Sequence, residues 1–213
     1  MNFFEPPPPI EPPDIGVPQR QPWWGAPGNE LGVAVPLRIL LARTSDVAVA
    51  VVEADAYSTG VALRLVVKWR EAPVEPRAHD LLGRMPQGTV GGELPPEVLR
   101  FGVQFADGRK ATSVGRSFLG SEDKPAGPVL APGGGSGSDR EWETSFWLWP
   151  LPPAGPLALV IEWPAEGIAE TRHEVDAQPF LDAAGASEML WPEDPDGDGG
   201  SWTGYGPMAP DPR

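Results

Sequence analysis

Large apolar residues fall at alternate positions along much of the middle of this chain, the period that sets one side of a strand in a core and the other against water. The densest run is residues 142–163, WETSFWLWPLPPAGPLALVIEW. Its second half puts Leu157, Leu159, Ile161 and Trp163 on one face and Ala158, Val160 and Glu162 on the other. In its first half Trp142, Phe146 and Leu148 share a face, with Trp147 and Trp149 opposite, so neither side can meet water without a large apolar patch. The run reads as a β-hairpin that must be covered on both faces.

Similar alternation organises the rest of the middle. Leu31, Val33, Val35, Leu37, Ile39 and Leu41 predict a strand in which Pro36, which has no N–H for a ladder, marks an edge or a bulge. A turn at residues 44–46 leads to Val47, Val49 and Val51, in a strand running to about Ala56. After the turn at residues 57–60, Val61, Leu63, Leu65, Val67 and Trp69 point inward while Arg64, Lys68 and Arg70 point out; the outward bases read as a solvated face. Leu99, Phe101, Val103 and Phe105 alternate with Arg100 and Gln104, and Asp107-Gly108 predicts a type I′ turn into a return strand over residues 110–114. Residues 171–174 have the form of a capping box, predicting a helix with Val175, Phe180, Leu181 and Ala184 on one face, Pro179 interrupting it and Gly185 near its end.

Short alternating strands whose apolar faces need a second layer predict an antiparallel β-sandwich of about seven or eight strands with a short C-terminal helical segment. The organisation expected is a proline-rich arm over 1–29, a sandwich domain over 30–190 with long loops at 70–96 and 115–140, and an acidic tail over 191–213. The arm carries nine prolines by Pro27, four of them consecutive, which favours polyproline II. Either it packs its own Trp23 and Trp24 on the sandwich, or it serves as a ligand for an aromatic groove. Phe3 and Phe4 stay open between the two, GGGSGS within 115–140 reads as a flexible run, and a helical turn is expected at 79–85.

Composition narrows the function more than it identifies it. The formal charge is −14, with the first thirty residues contributing four acids against one Arg and residues 188–213 six against one. Such a surface repels phosphate backbones and anionic lipid, so neither nucleic acid nor membrane is expected as a partner. The chain has no cysteine, which removes disulfides, thiolate metal sites and cysteine nucleophiles. The start, MNFFEPPPPIEPP, lacks the basic and apolar regions of a secretory signal, so a cytoplasmic location is expected.

Candidate chemistry is sparse. His79 and His173 have no metal-type spacing, and no nucleophile elbow, phosphate loop or dinucleotide turn stands in its proper context. Residues 193–199 contain D-x-D-x-D-G, in which Asp194, Asp196 and Asp198 are the alternating carboxylates of half a calcium loop. Tyr205 stands where the bidentate Glu belongs and Pro195 lies inside the loop, so a solvated acidic tail is the simpler reading. No cofactor is expected.

The stretches PWWGAPGNELGVAVPL (22–37), RFGVQFADGRKATSVG (100–115) and FWLWPLPPAGPLALVIEWP (146–164) resemble a family of uncharacterised actinobacterial proteins. The resemblance spans roughly residues 20–192. It implies no activity and no catalytic residues.

The expectation from these features is a non-catalytic intracellular interaction or assembly module with a protein partner, its contacts running through Trp23, Trp24, Trp147 and Trp149. Two alternatives come from other classes: a carbohydrate-binding module using exposed Trp, and an enzyme using carboxylate chemistry.

Overall fold

The computed structural model describes residues 21–73, 94–114 and 123–191. The run before Gln21 with Phe3 and Phe4, the turn expected at 79–85, and the tail with Asp194, Asp196 and Asp198 lie outside the described residues.

The described residues form β1 (Glu30–Leu31), β2 (Val33–Val35), β3 (Ile39–Arg43), β4 (Val47–Tyr57), β5 (Gly60–Trp69), β6 (Arg100–Gln104) and β7 (Lys110–Thr112). They continue with β8 (Val129–Ser138), β9 (Glu141–Trp149), β10 (Pro156–Trp163), a 3₁₀ turn (Pro164–Glu166), β11 (Ile168–Asp176), α1 (Gln178–Gly185) and β12 (Glu188–Met189). All pairings are antiparallel: a six-stranded sheet β2-β4-β5-β9-β8 with β3 also on β4, a four-stranded sheet β11-β10-β6-β7, and the small pair β1-β12. The antiparallel sandwich is the one the alternation predicts. Its strand number is higher partly because Pro36 splits the first predicted strand into β2 and β3, which lie end to end along β4.

The core lies between the two large sheets. From one side come Val49, Val51, Leu63, Leu65, Phe146 and Leu148, and from the other Phe101, Val103, Leu157, Leu159, Ile161 and Trp163. Phe101 meets Phe146 across the gap with ring centroids 5.2 Å apart, and Trp69 meets Trp163 edge-on at 6.3 Å. In β4 the inward set changes from Val47, Val49 and Val51 to Ala54 and Ala56 because a bulge after Val51 shifts the register by one. At one corner the sheets meet where His173 Nε2 donates to the Leu41 carbonyl at 2.8 Å, tying β11 to β3; a carbonyl only accepts, so that nitrogen carries the proton.

Four local expectations are corrected. The run 142–163 is not a hairpin: β9 lies in the six-stranded sheet between β5 and β8, and β10 in the four-stranded sheet between β6 and β11. The link over 150–155, with Pro150, Pro152 and Pro153 unable to donate to a ladder, carries the chain from one layer to the other. The glycine run inside the predicted 115–140 loop is not a linker, since Gly133 to Gly137 belong to the edge strand β8. The bare glycines let β8 lie against β9: a Cβ on Gly135 would stand 2.7 Å from the Trp142 ring and 2.9 Å from the Glu143 carbonyl.

The capping-box residues 171–174 belong to β11, and the helix begins only at Gln178, whose N–H donates to the Asp176 carboxylate. Pro179 falls in the first turn, where its missing N–H costs nothing, and α1 turns Phe180 and Ala184 into the core. The turn after β6 is not type I′. Only Gly108 has positive φ, and bonds from Gly108 N–H to the Phe105 carbonyl and from Phe105 N–H to the Arg109 carbonyl make a type I turn followed by a glycine bulge.

Candidate functional site

The six-stranded sheet has a second apolar cluster on its outer face, and all four tryptophans singled out in the sequence are in it. Trp147, on the side of β9 away from the core, lies edge-on to Tyr57 at 5.7 Å and donates its indole N–H to the Pro22 carbonyl at 2.8 Å. Trp23 lies edge-on to Trp149 at 5.6 Å. Gly60 leaves the space for this arrangement, since a Cβ there would be 2.6 Å from the Trp147 ring.

Lys124 sits over Trp149, with its ammonium 5.8 Å from the ring centroid, a cation–π arrangement. Trp23 and Trp147 are left 6% and 5% exposed, whereas Trp24 and Trp149 are half-buried. Residues 22–26 thus act as the second layer for this end of the sheet, and two of the four indoles have almost no surface to offer a partner.

On the outer face of the four-stranded sheet Lys110, Thr112, Arg172 and Glu174 are exposed, whereas Ala158 and Gly102 are buried among their neighbours. Register places Arg172, Val160, Gly102 and Thr112 side by side across β11, β10, β6 and β7, with Glu174, Ala158, Gln104 and Lys110 in the row on one side and Glu162 with Arg100 on the other. Gly102, itself buried, places no side chain between Val160 and Thr112, and a groove of about 250 Å³ is lined by these residues. Three bases line this groove, Arg100, Lys110 and Arg172, together with the carboxylates Glu162 and Glu170.

These charges differ in how far they are committed. Arg100 is bound to Glu162 and donates a second bond to the Leu94 carbonyl at 2.9 Å, so this pair closes one end of the groove as a neutral wall. Arg172 is aimed by two bonds, its Nη1 to Gln104 Oε1 at 2.6 Å and its Nε to Glu174 at 3.3 Å, which leaves Nη2 unspent. Lys110 has no carboxylate partner among the described residues. The outward bases of β5 behave differently, for Arg64 pairs with Glu53 and Glu143 and Lys68 with Glu141.

Carboxylates with raised pKa lie elsewhere and apart. Asp55, near the Tyr57 end of β4, is pushed up by burial and by the neighbouring charge of Glu53. Glu166, in the 3₁₀ turn, is pushed up by burial and by Asp46, which precedes the other end of β4. Among the described residues no group of three metal-ligating side chains comes together.

The groove is not legible in the sequence because Arg172 falls within a capping-box pattern and because rows across a sheet depend on register. A glycine at an outward position of a strand, as Gly102 is between Phe101 and Val103, was the readable sign of a bare spot. Comparison with protein-family models, curated proteins and solved structures finds no match. The resemblance to the actinobacterial family therefore rests on the quoted stretches alone.

Proposed function

We propose that this chain is a protein-interaction module acting in the cytoplasm, with the outer face of the four-stranded sheet as its recognition surface. The observation that supports the reading most is the groove over Gly102, flanked by Arg172 and by Lys110, which lacks a carboxylate partner among the described residues. An exposed cation at the rim of a groove is suited to steering and orienting a partner. The tryptophan cluster supports this location indirectly, because its packing leaves Trp23 and Trp147 almost no indole surface for a partner or for stacking a sugar. Among the described residues no helix is long and apolar enough to cross a membrane.

The test uses the full chain with a photo-cross-linking residue at the exposed position Thr112, compared with one at Asp139 in the β8–β9 turn. The expected result in native-cell extract is one defined protein adduct at Thr112, competed away by excess unmodified chain. Adducts at Thr112 that match those at Asp139, or that ignore the competitor, overturn the reading.

A further inference from the structure

We infer that residues 21–31 and 188–191 form a single cover on the six-stranded sheet that opens as a unit while the sandwich stays folded, with Glu30 as its latch, and that this opening bares Trp147 and Trp149. β1 pairs with β12 and with neither large sheet, and the Leu190 N–H adds one bond to the Asn29 carbonyl at 2.8 Å. The strands of the sandwich are joined by backbone ladders over a shared core, whereas this ribbon and the strap before it are held on the sheet through side chains. A segment fastened in that way can lift while the ladders of both large sheets stay closed.

Tyr57, the last residue of β4, links the points of attachment. Glu30 accepts the N–H and the hydroxyl of Ser58, the residue after it. The backbone at Gly32, between β1 and β2, lies directly on the Tyr57 ring, since a Cβ there would stand 2.6 Å from it. The same ring stands edge-on to Trp147, whose indole N–H holds the Pro22 carbonyl. Release of the Glu30 carboxylate frees β1 to lift from Gly32 outward, which removes the contact pressing Tyr57 against Trp147. The strap then follows through its short link at Pro27-Gly28-Asn29, and Trp23 leaves Trp149. Glu30 is only 7% exposed, and its charge is satisfied by Ser58 in the closed state and by water in the open one, so neither state carries an unpaired buried carboxylate.

Native-state hydrogen exchange on the uniformly ¹⁵N-labelled full chain tests this at three reporters: the Leu190 N–H on Asn29, the Ser58 N–H on Glu30 and the Trp147 indole N–H on Pro22. Normalised to their intrinsic rates, the three should share one protection factor, about 10-fold or more below that of the β5 and β9 ladder amides. Glu30→Gln keeps the side-chain shape and should lower all three by one common factor, about 10-fold as charge-assisted bonds become neutral ones. Ile161→Val, in the core between the large sheets, should lower protection of the β5 and β9 amides by about 5-fold and leave the three reporters unchanged.

Reporters as well protected as the β5 and β9 ladders, or slowed and quickened together with them in Ile161→Val, would show that the cover leaves only when the sandwich unfolds. Unequal responses of the three reporters to Glu30→Gln would show separate fraying at each contact. Either result overturns the inference. The cover and the groove lie on different sheets, so neither result bears on the Thr112 cross-link.

Discussion

Glu30, near the start of the described chain, grips Ser58 in the β4–β5 turn twice, its carboxylate accepting the backbone N–H at 2.5 Å and the hydroxyl at 2.6 Å. Burial alone would push the Glu30 carboxyl upward, but hydrogen bonds from Ser187 and from the side chain and backbone of Ser58 outweigh it and hold it below its ordinary value of 4.5. One buried carboxylate thereby joins β1, the β4–β5 turn and the segment after α1. A lowered folded-state pKa means stabilisation fully present above the unfolded value and lost as pH falls through the folded one. Glu30→Ala should cost about 2–3 kcal/mol at pH 7, or roughly 5–10 °C in Tm. The gap to wild type should narrow in thermal melts taken below pH 4; a gap that does not change with pH would show that the carboxylate charge is not what holds the turn.

Asp55 carries the opposite sign. Its pKa is raised by burial and by Glu53, against a smaller downward pull from Arg64, so its ionised form is a cost that accrues as pH rises from the unfolded to the folded value. Asp55→Asn should therefore raise Tm at pH 7, on the order of 1–3 °C, and change nothing near pH 3. Paired melts at the two pH values check this, and a loss of Tm at pH 7 contradicts it.

The edge strand β8 offers a contrast within one glycine run. A Cβ on Gly135 meets the Trp142 ring at 2.7 Å, whereas one on Gly134 meets nothing within 4 Å. Gly135→Ala should destabilise by about 1–3 kcal/mol in urea unfolding and Gly134→Ala by under about 0.5 kcal/mol. Similar small effects at both positions are what a flexible linker would give.

The aromatic cluster makes residues 22–26 part of the folded unit. Removing residues 1–20 leaves Pro22, Trp23 and their contacts with Trp147 and Trp149 in place, so Tm should change by no more than a few degrees. Removing residues 1–26 strips the cover from Trp147, Val129 and Ala131 and should cost about 3–5 kcal/mol, comparable to deleting a buried aromatic side chain. Equal melting of the two truncated chains would mean that the arm lends the sheet no stability.

Trp147→Phe separates packing from hydrogen bonding in the same cluster. The substitution keeps an aromatic ring beside Tyr57 but deletes the donor to the Pro22 carbonyl. A loss of about 1–2 kcal/mol is expected in denaturant unfolding, part from the bond and part from the smaller ring. A loss as large as that of Trp147→Ala would assign the effect to the hydrogen bond, since both variants lack the donor and only the Phe variant keeps a ring.

Period-two alternation by itself determined which residues of β5, β9 and β10 face the core, but not those of the first predicted strand, where Leu31 pairs with Glu188 in the small sheet and is exposed. Leu63, Leu65, Phe146, Leu148, Leu159 and Ile161 are all buried as their spacing requires, and Trp147 falls opposite Phe146 and Leu148, because successive side chains on a strand must point to opposite faces. Sequence also showed that both faces of residues 142–149 need cover. What it could not supply was partnership. The strands at 141–149 and 156–163 are neighbours in the chain but not in a sheet, since hydrogen-bond pairing is decided by contacts with segments far away in sequence.

The same limit hid β8, where glycines carry no local strand preference and the close approach of Trp142 and Glu143 sets the need for them. It hid β11 as well, where a sequence able to cap a helix is held extended by its ladder with β10. The groove is the furthest removed from sequence, because Arg172, Gly102 and Lys110 come from three strands and become neighbours only when register aligns their rows.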